Sequence, residues 1–598
     1  MNAATSLPTV GFSSRRSRTP ALGLIVGVLS LMVLCLIGFP MLSIVREALV
    51  INGKLDLSVF SRALSDPDVL AAIRNTVVMV FLSGTIAVFV GGALAWFNER
   101  TNARLAWTST YLPLIPLLVP SLASVIGWVM LAAPQAGLLN VMLRAALGEA
   151  GVELVNGPLN IYSWPGLIFV LVLYFVPYAF LLISAALQNL DPRLEEASRV
   201  HGAGPFRTAI SVTLPAVGPS IGAAAVLMVI TGFAIFSVPI VIGTGAHIDT
   251  LAVRIYRLLF TYGDINGTGM AIALSLFLLT IVQTALLLQL AISGKGQHAV
   301  IGGKGSFGSP NDIGPWRWPV RAIVVLYVCL STVLPILGLL LVSLQGFWSP
   351  HIAWERLGFF NYRSILFSNS QAGVALANTL FLAASTATVV VLIAALFATY
   401  YAQTSKRLRR ISELVMTFPG AIPHTVLAVG FIIVFSRGVL NLQGNLLLLG
   451  LAYFVISLPQ GQRAASAAYD QVGPELSEAS RICGASLLRT FRRIVLPLMT
   501  PSLVVGWVIV FVQVAGELTA SAMLSGTTNP VAGFVLLNLW ENGSFPQVAA
   551  LALVITAIDF VVVLGVLRTA RNRSDRTGKK TNSVATPVAG QPAVGSKA

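Results

Sequence analysis

Charged residues are scarce in this sequence: 10% of its 598 residues are Asp, Glu, Lys or Arg, whereas 56% are hydrophobic. A soluble domain typically carries about a quarter charged residues. The deficit predicts that lipid surrounds most of the chain, where every backbone polar group must be satisfied within the protein. The apolar runs reach the roughly 20 residues of a spanning helix and lack the alternation of barrel strands. We therefore expect an all-α integral membrane protein.

Cysteine is also scarce. The three cysteines, Cys35, Cys329 and Cys483, are scattered and form no CxxC pair, and the five histidines are equally dispersed. A disulfide framework or a zinc site would need clustered ligands at characteristic spacings. The sequence therefore predicts neither, and we expect this chain to bind no metal and no cofactor.

A phosphate-binding loop of the form G-x-x-x-x-G-K-[ST] is missing from the sequence. The nearest segment is Gly302-Gly303-Lys304-Gly305, which has glycine where serine or threonine is required and follows no predicted strand. We interpret this segment as part of a flexible linker. The chain is therefore not expected to hydrolyse ATP by that mechanism, and we expect no enzymatic activity.

The net charge of +16 could indicate a nucleic-acid partner. However, the basic residues lie in short clusters between apolar runs, as they do in the cytoplasmic loops of membrane proteins. The clusters at 15–18, 406–410 and 568–580 all face the cytoplasm if the N-terminus does. We therefore expect both termini to be cytoplasmic and no nucleic acid to bind.

Twelve membrane spans of roughly 20–28 residues are predicted from the apolar runs. They lie at residues 21–45, 75–97, 105–132, 164–187, 218–242, 267–292, 320–345, 377–401, 411–436, 445–469, 502–526 and 547–569. The first run is too long for the apolar region of a signal peptide and lacks an obvious cleavage site, so we expect it to be retained.

A stretch rich in Gly, Ser and Pro separates the spans into two groups of six. The predicted domains are a cytoplasmic tail at 1–20, a first half at 21–292, a cytoplasmic linker at 293–319, a second half at 320–569 and a disordered cytoplasmic tail at 570–598.

One loop occurs in both predicted halves. Residues 191–220 read DPRLEEASRVHGAGPFRTAISVTLPAVGPS, and residues 473–502 read GPELSEASRICGASLLRTFRRIVLPLMTPS. Corresponding positions lie 282 residues apart, and the identities include Glu-Ala-Ser-Arg, a glycine, Arg-Thr and Leu-Pro. A repeat of this kind indicates a duplicated structural unit.

The composition of this loop predicts two short helices. Asp191 can cap a helix that has proline at its first position. That helix should end at Gly202, or at Gly484 in the second copy, because glycine readily terminates helices. A second short helical stretch should follow and end near Pro215 or Pro497. A polar protrusion that is repeated in both halves suggests a docking surface for a two-fold partner.

The loop resembles the E-A-A-x3-G-x9-I-x-L-P signature of the permease subunits of binding-protein-dependent ABC importers. The two copies match it at Glu196-Ala197-Ser198, Gly202 and Val212-x-Leu214-Pro215, and at Glu478-Ala479-Ser480, Gly484 and Ile494-x-Leu496-Pro497. Both copies have Ser for the second Ala, and the first has Val for Ile. The alternative interpretation, an ordinary amphipathic connector, leaves the shared spacing unexplained.

The resemblance covers residues 21 to about 568 and implies the type I ABC importer permease fold in a bacterial cytoplasmic membrane. It implies two copies of an ATPase subunit and a periplasmic or lipid-anchored substrate-binding protein as partners. Each loop would insert its short helix into one ATPase subunit. The residues carried over to these coupling loops are Glu196, Ala197, Gly202, Leu214 and Pro215, and Glu478, Ala479, Gly484, Leu496 and Pro497.

A second repeat has a spacing of 303 residues. It pairs Asn75-Thr76 with Asn378-Thr379, Pro116 with Pro419, Pro120 with Pro423 and Gly127 with Gly430. Prolines within a span free backbone carbonyls and permit bending. Bending would be useful in a gated pathway, but kinks that serve packing alone explain the prolines equally well.

Glu517 lies within a predicted span, and Gln513 precedes it by one turn on the same helix face. A charge at mid-bilayer costs about 2.5–3.5 kcal/mol on insertion scales, so it needs a reason. Glu517 either faces the translocation path or makes a polar contact between helices. The residue 282 positions earlier is Ile235, so any such site is asymmetric. For Asp559 and His424, packing or interfacial contact is the favoured interpretation.

The fusion of two halves, together with the segments at 233–239 and 250–256, resembles the ferric iron branch of these permeases. Ferric iron is therefore the expected substrate, with 2-aminoethylphosphonate, thiamine and polyamines as alternatives. A twelve-helix secondary transporter would also show duplication and cytoplasmic termini. It would not be expected to carry the double loop, and proton or sodium coupling usually needs several intramembrane acids.

Overall fold

The computed structural model describes residues 20–51, 53–105, 112–261, 265–295, 311–368, 371–402, 404, 406–436 and 441–584. The predicted N-terminal tail and most of the predicted linker lie outside these residues. The described part is helical apart from one small antiparallel hairpin, β1 (Val50–Ile51) and β2 (Lys54–Leu55). The all-α expectation is therefore confirmed.

The first part of the chain contains eleven α-helices among the described residues. They are α1 (Pro20–Leu49), α2 (Ser58–Ser65), α3 (Pro67–Arg100), α4 (Ser121–Ala132), α5 (Leu138–Glu149), α6 (Trp164–Asn189), α7 (Pro192–Val200), α8 (Pro205–Thr208), α9 (Leu214–Ala234), α10 (Leu251–Phe260) and α11 (Ile265–Lys295).

Thirteen α-helices follow in the described remainder. They are α12 (Arg317–Val328), α13 (Leu334–Ser343), α14 (Phe360–Phe367), α15 (Gln371–Ala402), α16 (Lys406–Thr417), α17 (His424–Phe435), α18 (Leu446–Val472), α19 (Pro474–Ile482), α20 (Leu487–Thr490), α21 (Leu496–Ala515), α22 (Thr519–Leu524), α23 (Ala532–Glu541) and α24 (Phe545–Val584).

Short 3-10 and π turns complete the described helical structure. The 3-10 turns are Leu112–Leu118, Gly314–Trp316, Trp354–Arg356 and Phe418–Ala421, and the π turns are Ala209–Thr213, Pro239–Gly243, Cys329–Val333 and Phe491–Val495. Since α24 extends to Val584, residues 570–584 are helical, whereas the sequence predicted a disordered tail from residue 570.

Nine helical segments among the described residues are long and apolar enough to cross a membrane. They are Gly23–Leu49, Pro67–Arg100, Trp164–Asn189, Pro205–Ala234, Gly267–Gln289, Gly314–Ser343, Gln371–Ala402, Leu487–Ala515 and Phe545–Val566. Each overlaps a predicted span. Two further predicted spans coincide with sharply bent helix pairs, and the predicted span 445–469 coincides with α18, which is not one of the nine.

The two bent pairs occupy equivalent positions. The turn Leu112–Leu118 and α4 meet at 98°, and the segment Arg409–Ala421 and α17 meet at 97°. Pro120 and Pro423 are the last residues before α4 and α17, and both have extended backbone angles. The sequence predicted that prolines here permit bending, and the bends at these two prolines confirm it. The assumption of a straight span at 411–436 was wrong.

Two predicted spans begin and end earlier than expected. The helices run continuously from Pro205 to Ala234 and from Leu487 to Ala515, instead of stopping near Pro215 and Pro497. A proline in a helix interior lacks an N–H donor and its ring clashes with the carbonyl four residues before it. A π turn precedes each Leu-Pro pair, so the helix widens locally and continues past the proline.

The first long helix of each half packs against the bent pair of the other half. Helix α1 packs against α17, and α13 packs against α4. These contacts are close because they involve glycine: Gly430 lies against Pro40, and Gly127 lies against Pro335. The repeated glycines at these two positions therefore have a packing role.

The repeated Asn-Thr pairs also make equivalent contacts. The Asn75 and Asn378 amides donate to the carbonyl oxygens two residues before α10 and α23, at 3.1 and 2.9 Å. The Thr76 and Thr379 hydroxyls accept the N–H of the first residue of α10 and of α23, at 2.8 Å each. Each pair thus fixes the start of one short helix to a long one.

Candidate functional site

The first coupling loop begins with a capped helix. The Asp191 carboxylate accepts the N–H of Arg193 at 3.0 Å, and Pro192 occupies the first helical position of α7. Gly202 ends this helix with a left-handed φ of +81°, and Gly484 ends α19 with a φ of +80°. The predicted cap and the predicted glycine bends are both present in the structure.

The helix ends have the same hydrogen-bond pattern in both copies. The N–H of the residue after each glycine donates to the carbonyl of Ser198 or Ser480, at 3.2 and 3.1 Å. This six-residue bond is the Schellman ending, which requires a left-handed residue at the glycine position. The backbone bend is therefore a property of the duplicated sequence and not of one half.

The serine that replaces the second alanine of the signature also has a defined partner. The Ser198 hydroxyl lies 3.1 Å from the Thr208 hydroxyl, and the Ser480 hydroxyl lies 2.9 Å from that of Thr490. Each bond joins the two short helices of one loop across the glycine bend. This departure from the signature thus stabilises the corner instead of disrupting it.

Both loops expose the same positions to solvent. Glu196, Ala197, Glu478 and Ala479 are exposed. Large apolar side chains are exposed beside them at equivalent positions: Val200 (85%) and Ile482 (87%), Phe206 (74%) and Leu488 (52%), and Leu194 (50%) and Leu476 (47%). An exposed apolar patch on a polar loop commonly marks an interaction site. The Leu-Pro pairs follow at the beginning of α9 and α21.

A buried ion pair fixes the first loop only. The Arg100 Nε lies 3.2 Å from Glu195 Oε1, without the alignment of a hydrogen bond, and both side chains are buried. The Glu195 oxygen also accepts the hydroxyl of Thr213 at 2.6 Å. The equivalents of Glu195 and Thr213 in the second loop are Ser477, whose buried hydroxyl has no partner among the described residues, and Val495.

Sequence reasoning missed this ion pair. The repeat alignment contained a signal, since it places Glu195 opposite Ser477 and so shows a charge in one copy alone. However, Arg100 lies 95 residues earlier in the chain, and only the packed structure brings it beside the loop.

Glu517 lies in a helix break and not, as the sequence suggested, inside a continuous span. Helix α21 ends at Ala515 and α22 begins at Thr519. The Glu517 carboxylate accepts the N–H groups of Ala520 at 3.1 Å and Ser521 at 3.0 Å, and so caps the short helix. The equivalent break after α9 falls at Ile235 and Phe236 and contains no acid.

His424 is the side chain that meets Glu517. Its Nδ1 lies 3.3 Å from Glu517 Oε1, and its side chain is 35% exposed whereas that of Glu517 is 4% exposed. Gln513 is half-buried in the last turn of α21 and makes no contact with this carboxylate. The break also lies close to the first half, because a Cβ at Gly516 would lie 3.2 Å from the Cβ of Pro120. Packing, which was favoured for His424, is therefore an incomplete account of this residue.

Asp559 is fully buried in α24, and its carboxyl oxygens have no hydrogen-bond partner among the described residues. The sequence placed it in the last span, where it lies. Within the described part of the chain, no group of three or more His, Cys, Asp or Glu side chains could hold a metal ion.

Comparison with known proteins gives a family match in two segments. The family model described as "binding-protein-dependent transport system inner membrane component" matches residues 84–295 and 390–574. The first segment contains the loop at 191–215, and the second contains the loop at 473–497. Each half of the duplicated sequence therefore matches the family separately.

Individual relatives are more distant. The ferric transport system permease protein FbpB of Actinobacillus pleuropneumoniae is 24% identical over 506 residues, which cover 84% of this chain and 72% of the relative. The probable ABC transporter permease protein y4fN of Sinorhizobium fredii is 27% identical and covers 94% and 98%. A putative 2-aminoethylphosphonate transport system permease protein, PhnV of Salmonella paratyphi A, is 29% identical over 28% of this chain and 62% of its own length.

Proposed function

Because this chain belongs to the family of binding-protein-dependent transport system inner membrane components, it is a multi-pass inner-membrane subunit of an ABC importer, and we propose that it forms the whole permease as two fused halves. Each half would contribute six spans, and together the nine apolar helices, the two bent pairs and α18 would make twelve. Both termini would be cytoplasmic, as the clusters of basic residues favour.

The duplicated loops would couple the permease to ATP hydrolysis. The observation that carries this proposal is the exposed apolar patch that both loops present at equivalent positions, on identically capped and bent helices. Two equivalent patches suit two copies of one ATPase subunit. Glu196, Ala197 and Gly202, with Leu214 and Pro215, would form the first docking element. Glu478, Ala479, Gly484, Leu496 and Pro497 would form the second.

The remaining partners follow from what the chain contains. It carries no phosphate-binding loop, so ATP hydrolysis is assigned to separate subunits and this subunit is non-catalytic. A periplasmic or lipid-anchored binding protein would deliver the solute to the outer side. Alternating access would then follow from movement of the two halves as the ATPase dimer closes.

The translocation path would pass the helix breaks. The break that contains Glu517 lies against Pro120 of the other half's break, and the broken helices place His424 beside it. Within this cluster, His424 is the more exposed member, so it would face the path while Glu517 orients it. Gln513, one turn earlier on α21, would lie along the same path.

We favour ferric iron as the transported solute. The support is the similarity over 84% of this chain to a ferric transport system permease. The 2-aminoethylphosphonate alternative is supported by a match over a smaller part of the chain. Thiamine and polyamines remain alternatives from the sequence resemblance, and a twelve-helix secondary transporter is the alternative from another class.

A docking experiment tests the coupling assignment. The chain is co-expressed with the ATPase encoded beside it, and the ATPase that co-purifies is quantified. Val200→Asp and Ile482→Asp should each reduce the recovered ATPase, because each places a charge in an apolar contact. Val155→Asp is the matched control, since Val155 is 91% exposed but lies outside both loops. Full recovery of ATPase with both loop variants would contradict the assignment.

A binding experiment tests the solute. The binding protein encoded beside this permease is purified and titrated calorimetrically with ferric citrate, 2-aminoethylphosphonate, thiamine and spermidine. Ferric iron should bind most tightly. Preferential binding of another of these ligands would replace iron as the assigned solute, whereas transport that continues without any ATPase would support the secondary transporter.

A further inference from the structure

The end of the linker is attached to the end of α3. The Arg100 carbonyl accepts the N–H of Asn311 at 2.9 Å, and the Asn102 N–H donates to the Asn311 carbonyl at 3.0 Å. The Asn102 side-chain oxygen accepts the N–H of Ile313 at 3.3 Å. We call this parallel pairing of residues 100–102 with residues 311–313 the linker clamp.

The linker clamp continues into the first helix of the second half. The Arg321 guanidinium in α12 donates to the carbonyl of Ala103 at 3.1 Å and to that of Asn102 at 3.2 Å. Helix α12 is therefore fixed to the cytoplasmic end of a helix of the first half. The linker between the halves thus ends in an ordered contact.

Arg100 belongs both to this clamp and to the first coupling loop. Its backbone carbonyl is part of the clamp, whereas its guanidinium lies against Glu195 of α7. The same guanidinium donates to the carbonyl oxygens of Leu187 at 2.7 Å and Leu190 at 3.2 Å, which end α6. One residue therefore contacts the coupling helix, the end of a span and the linker.

The second coupling loop has no equivalent attachment among the described residues. Its counterpart of Glu195 is Ser477, and its counterpart of Thr213 is Val495, so neither of the polar groups that hold the first loop is present. The two loops share one backbone design but differ in how they are attached to the membrane helices.

We propose that Arg100 is a positioning residue that joins the first coupling loop to the linker clamp, so that displacement of this loop is transmitted to both halves. Displacement of the second loop reaches its own half only. The inference rests on the proposed function, in which the loops dock the ATPase subunits. It adds that the two docking sites are unequal, although the two motors are identical.

The test measures coupling in the assembled transporter. The permease, its ATPase and its binding protein are reconstituted in lipid vesicles, and ATP hydrolysis is measured with and without the binding protein. Glu195→Gln keeps the size and the hydrogen-bonding capacity of the side chain but removes the ion pair. It should lower stimulation by the binding protein about tenfold, within the usual range of coupling effects, and leave basal hydrolysis and ATPase recovery unchanged.

Arg100→Gln and the double variant complete a cycle. Because one pair carries the effect, the double variant should show the same loss as either single variant. Asn102→Ala, which weakens the clamp without touching the loop, should also lower stimulation. Glu99→Gln is the matched control: it removes a charge from the adjacent residue, whose partners are Asn98, Ser184 and Gln188.

Unchanged stimulation in Glu195→Gln and Arg100→Gln would overturn the inference, as would losses that multiply in the double variant or an equal loss in Glu99→Gln. A failure of the proposed function itself is recognised differently, because the wild-type complex would then contain no ATPase subunit or show no dependence on the binding protein.

Discussion

Gly127 of α4 lies so close to Pro335 of α13 that a Cβ on the glycine would be 2.5 Å from the proline carbonyl oxygen. The reciprocal contact joins the other two elements, since a Cβ on Gly430 of α17 would lie 2.9 Å from the Cβ of Pro40 in α1. The sequence repeats the glycines and does not say why. The structure shows that each half inserts its first long helix at the glycine of the other half.

Enlarging either glycine should therefore weaken the association of the halves. Gly127→Val and Gly430→Val are each expected to destabilise the protein by about 1–3 kcal/mol, because the added atoms meet backbone and a rigid proline ring. The measurement is thermal unfolding in detergent. Gly218→Ala is the control, since nothing lies within 4 Å of a Cβ at that helical position. Equal melting temperatures for all three variants would contradict the packing role.

Much of this architecture could be predicted from the sequence. Length and hydropathy located the apolar helices, and the repeat located the two coupling loops with their caps and glycine bends. Two features could not be predicted. The π turns that carry helices through Pro215 and Pro497 depend on local backbone widening, which residue type alone does not report. Contacts such as those of Arg100 with Glu195 and of His424 with Glu517 join distant segments that only tertiary packing brings together.

The coupling loops should be sensitive to substitution at their glycine bends. Gly202→Ala and Gly484→Ala force an L-residue into a left-handed conformation, which costs about 1–2 kcal/mol per residue. No atom lies within 4 Å of either position, so the effect isolates backbone strain from steric contact. We expect faster proteolysis of the loop and reduced recovery of ATPase. Gly204→Ala, at a residue with a φ of −68°, should behave like the wild type.

The Asn-Thr pairs offer a test of how the short helices α10 and α23 are held. Thr76→Val and Thr379→Val keep the shape of the side chain but leave a buried N–H without an acceptor, which costs about 1–3 kcal/mol. Hydrogen exchange at the first amides of α10 and α23 should accelerate accordingly. The comparison variant is Thr332→Val, because the buried Thr332 hydroxyl has no partner in the described structure and its loss should cost little.

The break at Glu517 allows its structural and transport roles to be distinguished. Glu517→Ala removes the acceptor of two buried N–H groups at the start of α22, so it should lower the stability of the protein by about 1–3 kcal/mol. Glu517→Gln keeps one acceptor oxygen and should lose less. His424→Asn leaves both capping bonds in place and removes only the partner of the carboxylate.

Thermal unfolding and solute uptake are then measured on the same three variants. We expect Glu517→Ala to lower both the melting temperature and uptake, because the short helix and the path share this residue. His424→Asn should lower uptake with little change in melting temperature, since the more exposed member of the pair is assigned to the path. Normal uptake by His424→Asn would remove this residue from the path and leave Glu517 as a helix cap whose function is structural.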